Sequence, residues 1–159
     1  MKIIVFRAKT FLIICLIIGV LLSTLYTPAV QSVFSASNGR SLPIYSVQTE
    51  EKKVAIGINC AWDDSDIPAM LSCLAEQEVN ATFFLLGEWA EKYPVSAATI
   101  AKSGQEIGSH SYSHRDLDSL SQSEILNEIS QSQQSIQKAC GQTPVLFRPP
   151  SGSYNDTVI

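Results

Sequence analysis

"KVAIGINCAWDDSDIPAMLSCLAEQEVNATFFLLG", residues 53–87, decides the fold. Its first ten residues, 53–62, form a short apolar run with the length of a buried strand. "DIPAMLSCLAEQEV" then reads as a helix, with Asp66 as N-cap and Pro68 in the first turn, where a missing N–H costs little. "ATFFLLG" (81–87) is a β-branched and aromatic run closed by a glycine, a second strand. A strand, a helix and a strand within 35 residues is the unit that builds parallel sheets with crossover helices.

The same alternation continues downstream. "EWAEKYPVSAATIAKSG" (88–104) is a helical region interrupted near Pro94 and stopped by Gly104, and "EIGSH" (106–110) is a third, short strand. "SQSEILNEISQSQQSIQKACG" (121–141) is the clearest helix. Ser121 and Glu124 form a capping box, Ile125, Leu126, Ile129 and Ile136 form an apolar stripe, and Gly141 ends it. "PVLFRPP" (144–150) is a fourth strand, stopped by its prolines. The fold class is α/β, either a barrel or a doubly wound sheet. Four strand–helix units complete a small sheet but make only about half of a barrel.

Upstream, Lys2, Arg7 and Lys9 precede the apolar run "FLIICLIIGVLLSTLY" (11–26). A basic segment before an apolar one is the pattern of a secretory signal or a single membrane anchor. Residues 1–30 are assigned to that role, with the basic end cytoplasmic and the remainder exported, either anchored on the outer face or secreted. Residues 31–51 are polar, lack periodicity and contain Gly39 and Pro43, which makes them a linker to a domain over 52–159. A formal net charge of −4 offers no basic surface for nucleic acid. Of the four cysteines, Cys15 lies in the apolar run, and the remaining three form no C-x-x-C pair. Cys73 and Cys140 fall in helical patterns as small buried hydrophobes.

In parallel α/β folds ligands collect at the carboxyl ends of the strands. Three polar clusters fall there: "NCAWDDSD" (59–66), "SHSYSH" (109–114) and "RPPSGSYN" (148–155). The chain's two histidines, His110 and His114, are four residues apart, so one turn of helix would point both imidazoles to one side, toward a shared divalent ion. Asp63, Asp64 and Asp66 supply carboxylates, each also readable as a turn or cap acid, the preferred reading for Asp66. Arg148, before two prolines, could clamp a carboxylate.

In this order and spacing, the clusters resemble those of the NodB-like polysaccharide deacetylases, carbohydrate esterases that remove N-acetyl groups from chitin- or peptidoglycan-type glycans. The resemblance runs from Lys53 to Ile159. "GSHSYSH" is similar to the family's histidine metal motif and "FRPPSGSYN" to its R-P-P-x-G-x-x-N motif. It implies the N-terminal part of a distorted (β/α) barrel and metal-dependent N-deacetylation of an N-acetylated cell-envelope glycan. The implied metal is divalent: zinc, with cobalt or manganese as alternatives. His110 and His114 match metal ligands, and Arg148 matches the arginine that orients the general base. Ser151, where the family usually has Tyr, matches the residue whose backbone N–H meets the oxyanion.

Two departures qualify that expectation. The family's T-F-D-D-G-P falls without gaps on "GINCAW" (57–62), so the base becomes Asn59 and the metal Asp becomes Cys60. "INCAWDDSDIP" looks more like a sporulation- and cell-wall-associated branch, in which Asp64 takes the acidic position, with Asp63 as second choice. The family's later motifs, including the His that protonates the leaving amine, would fall beyond Ile159, so the chain reads as C-terminally truncated. These departures favour an alternative: a catalytically inactive glycan-binding or envelope-assembly module, or a gene fragment.

Overall fold

The computed structural model of the chain describes residues 13–20 and 41–159. It separates into two units, Met1–Ser41 and Leu42–Ile159. In the first, residues 13–20 are helical. No helix among the described residues is long and apolar enough to cross a membrane. Most of the signal-or-anchor segment, 1–12 and 21–30, lies outside the described residues, as do 31–40 of the linker. Residues 41–49 of that linker carry no helix or strand and are largely exposed.

The second unit is built on three parallel strands, β1 (Gly57–Cys60), β2 (Thr82–Leu85) and β3 (Glu106–Ser109), paired in that order. Asn59 lies opposite Phe84, and Phe84 opposite Gly108. The helices are α1 (Ile67–Glu76), α2 (Gly87–Lys92), α3 (Pro94–Lys102) and α4 (Gln122–Cys140). Side chains alternate across a strand, so one sheet face carries Ile58, Cys60, Phe83, Leu85 and Ile107. That face meets Ile67 and Leu71 of α1, Trp89 and Ala90 of α2, Ala97 and Ile100 of α3, and Ile136 of α4 in one core. The opposite face presents Gly57, Asn59, Thr82, Phe84, Glu106 and Gly108. Consecutive strand order with one helix layer is the arrangement of a barrel wall, whereas a doubly wound sheet carries helices on both faces.

Several local expectations are corrected. β1 begins at Gly57, and of the residues before it Ile56 meets β2 through its carbonyl alone, which accepts from Thr82 N at 2.9 Å. The expected fourth strand shrinks to a bridge between Ser109 and Phe147. Pro144, Pro149 and Pro150 lack an N–H, which leaves two ladder bonds, Ser109 N to Leu146 O and Arg148 N to Ser109 O. Asp66 occupies the N-cap position of α1 but has helical backbone angles and makes no side-chain cap. The capping box of α4 forms as expected, and Gly141 closes that helix in the left-handed region at φ 77°. Leu126 leaves the stripe and is exposed, and the inner face of α4 carries Glu128, Ser132 and Ser135 beside Ile125 and Ile136. Cys73 is exposed on α1, and Cys140 is half-buried at the end of α4, packed against the margin of the core.

Candidate functional site

The carboxyl ends of β1 and β3 and the Phe147 bridge bring Asn59, His110 and Arg148 to one edge of the sheet. Arg148 links them. Its side chain crosses the open sheet face, with the guanidinium carbon 4.0 Å from the centre of the Phe84 ring. Nη1 donates to Asn59 Oδ1 at 2.8 Å. Two glycines make room for this layer. A Cβ at Gly108 would fall 2.5 Å from the Phe84 ring, and one at Gly57 would fall 2.2 Å from Arg148 Nη2. The pairing expected between Arg148 and position 59 is therefore present, but its acceptor is an amide. With Oδ1 held by the guanidinium, the other group of Asn59 is an NH₂, a donor with no basic lone pair to take a proton.

The two imidazoles also meet. Their centroids are 5.3 Å apart and nearly perpendicular. Helical spacing is not the cause, which corrects the expectation of a shared helical turn. Residues 110–114 form a loop in which Ser111 (φ 73°) and His114 (φ 63°) both adopt left-handed angles. His110 Nδ1 lies 2.7 Å from the Arg148 carbonyl oxygen, which can only accept, so Nδ1 carries the proton and Nε2 keeps its lone pair. Burial pushes the His110 imidazole below the ordinary histidine range, which favours this neutral form.

The third donor expected of a metal site is not beside them. Asp64 Oδ2 accepts from Ser96 Oγ of α3 at 2.5 Å. Asp63 Oδ1 accepts from Ser65 N and Oγ in a local turn. Cys60 points into the helix-side core, where burial and then the charge of Asp66 push its thiol up to about 12, so a metal-binding thiolate is disfavoured. Among the described residues no group of three His, Cys, Asp or Glu side chains could hold a metal ion. The donor set therefore does not fit a three-ligand catalytic site, and no chemical step is assigned to a metal. Ser151 lies exposed in the 3₁₀ turn Pro150–Gly152, at φ 55°.

Trp62 completes the edge. It is 84% exposed, its ring centroid is 6.3 Å from that of His114, and it lines a cleft of about 250 Å³ with Asn59, Asp63, Asp66 and Met70. Residue-type reasoning passed over Gly57, Phe84 and Ser96, which act only through the partners the fold gives them. Glu128 left a readable signal: a carboxylate three residues after Ile125, on the apolar side of an amphipathic helix.

The family model described as "Polysaccharide deacetylase" matches residues 46–159. The chain belongs to the polysaccharide deacetylase family. Among curated relatives, YlxY of Bacillus subtilis is 39% identical over 117 residues, covering 74% of this chain and 37% of that protein. The peptidoglycan-N-acetylmuramic acid deacetylase PdaC of Bacillus subtilis is 37% identical, over 70% of this chain and 24% of its own. Among solved structures, a CE4 family pseudoenzyme from Bacillus anthracis superposes with a TM-score of 0.67 at 37% identity, over 69% of this chain and 39% of that one. The chain thus spans a quarter to two fifths of these relatives, and its three-stranded wall is the α/β architecture of deacetylase-family barrels.

Proposed function

We infer that this chain is a glycan-facing part of a cell-envelope protein that binds N-acetylated, peptidoglycan-type polysaccharide without hydrolysing it. The observation that carries this reading is the Arg148–Asn59 pair. The arginine is positioned as if to hold a base, yet the group it holds cannot accept a proton, and general base help of about 10²–10⁴-fold is lost with it. A pseudoenzyme among the similar solved structures supports the reading, as does an exposed indole beside the cleft, a surface on which a pyranose ring can stack. The test is a titration of the full chain with N-acetylglucosamine oligomers. Saturable binding, weakened about tenfold (roughly 1.4 kcal/mol) by Trp62→Ala, is expected, and absence of binding sinks the reading.

A second reading, metal-dependent deacetylation, is favoured by the paired imidazoles and by relatives such as PdaC. It has zinc, cobalt or manganese on His110, His114 and Asp64, and the Ser151 N–H at the oxyanion. Asp64 would have to leave Ser96 to reach the ion. Under this reading Ser96→Ala tightens zinc binding. Under the first it leaves zinc affinity unchanged.

Export through residues 1–30, with the domain outside the membrane, belongs to the proposal. Protease added to intact cells should then degrade the domain, and full protection would refute export.

A further inference from the structure

The loop that carries the histidines holds two non-glycine residues, Ser111 and His114, in the left-handed region. Such angles cost on the order of 1–3 kcal/mol each and persist only where the surroundings over-determine them. Much of that constraint comes from one side chain of another element. Glu128 of α4 is 5% exposed. Its Oε2 accepts from Ser111 Oγ at 2.7 Å, Tyr112 N at 3.1 Å and Ser113 N at 2.9 Å, and its Oε1 accepts from Ser113 Oγ at 2.7 Å. Every residue between the two histidines thus donates to this carboxylate. From the other side, Gly87 N and Glu88 N of α2 donate to the carbonyls of Ser111 and Tyr112.

We propose that Glu128 is the positioning residue of the histidine pair: its carboxylate clamps residues 111–113 and thereby sets the spacing and relative orientation of the two imidazoles. Two of the four partners, Tyr112 N and Ser113 N, are backbone donors that need an acceptor oxygen, whereas the two serine hydroxyls can donate or accept. Glu128→Ala removes both acceptor oxygens, while Glu128→Gln keeps one oxygen for the backbone donors and can turn its NH₂ to Ser113 Oγ. The inference concerns the geometry of the pair and is independent of whether glycan binds, so its test needs no glycan.

The test uses Cu2+ as a reporter of ring spacing in the full chain, followed by electron paramagnetic resonance with counting of coordinated imidazoles. The wild type is expected to show a two-imidazole species that reverts to one in His114→Ala. Glu128→Ala is expected to lose that species and to bind Cu2+ about 10- to 100-fold more weakly, the usual effect of removing the groups that orient metal-binding histidines. Ser113→Ala removes a single donor from a half-buried side chain and is expected to shift the same signal in the same direction by less. It keeps the test decisive if Glu128→Ala lowers the melting temperature. A merely structural role would lower stability and leave the imidazole count in the folded protein unchanged. Two coordinated imidazoles at unaltered affinity in folded Glu128→Ala or Ser113→Ala would overturn the proposal, as would a wild type that never binds through both rings.

Discussion

Gly57→Ala tests whether the open sheet face is organised around the Arg148 guanidinium. The added Cβ would lie 2.2 Å from Nη2, 2.9 Å from Cζ and 3.0 Å from Nη1, so the guanidinium must move. Moving it gives up the hydrogen bond to Asn59, about 1.5 kcal/mol at the low end for a charged donor. It also gives up the position over Phe84, roughly 0.5–1 kcal/mol for a cation–π contact with solvent access. Alanine recovers roughly 0.5–1 kcal/mol over glycine in a strand. The net loss is about 1–2 kcal/mol, read as a fall of about 0.5–1 M in the urea midpoint for a slope near 2 kcal/mol/M. The decisive comparison is the same change in an Arg148→Ala background. There the clash is gone, and Gly57→Ala should be neutral or stabilising, which gives a coupling energy of about 2 kcal/mol. An equal loss in both backgrounds would refute the reasoning.

Two further predictions concern groups outside that cluster. The capping box holds the Glu124 carboxyl down at about 2, through the Ser121 side chain first, then the Ser121 backbone N–H and Arg115. A depressed folded value means the cap contributes above the ordinary 4.5 and is lost as pH falls toward 2. Melting temperatures measured across that window should therefore fall further for the wild type than for Glu124→Gln, and parallel curves would contradict the capping account. Burial holds the Cys60 thiol up at about 12, so iodoacetamide in mildly alkaline buffer should label exposed Cys73 in the folded chain and reach Cys60 only after unfolding. Equal labelling of the two, mapped by mass spectrometry, would place Cys60 outside the core.

The parallel α/β wall was legible because its signals are local. The β-branched and aromatic run at 82–85, the capping box at Ser121 and Glu124, and Gly141 at the end of α4 each act through near neighbours in sequence. The fourth strand was overread, because apolar content cannot make up for prolines that remove ladder donors. Asn59, His110 and Arg148 were placed at strand ends and the fold brings them together there. Asp64 was expected as the acid beside the histidines, and its bond to Ser96 was not foreseen, since nothing near it in sequence announces a partner 32 residues on. The meeting of the histidines was foreseen for the wrong reason: a clamped, left-handed loop does what helical spacing was expected to do. Glu128 was readable as a carboxylate on the apolar side of its helix, but its partners at 111–113 and the Arg148 partner of Gly57 lie at distances where composition and periodicity carry no signal.

The central claim is that a base position filled by an amide leaves a glycan-binding site without hydrolysis. Acetate released from N-acetylated peptidoglycan by the full chain, in the presence of zinc and again after EDTA, tests it most directly. The account predicts no release above the protein-free control in either condition. Zinc-dependent release that EDTA abolishes, and that Asn59→Ala reduces, would contradict it.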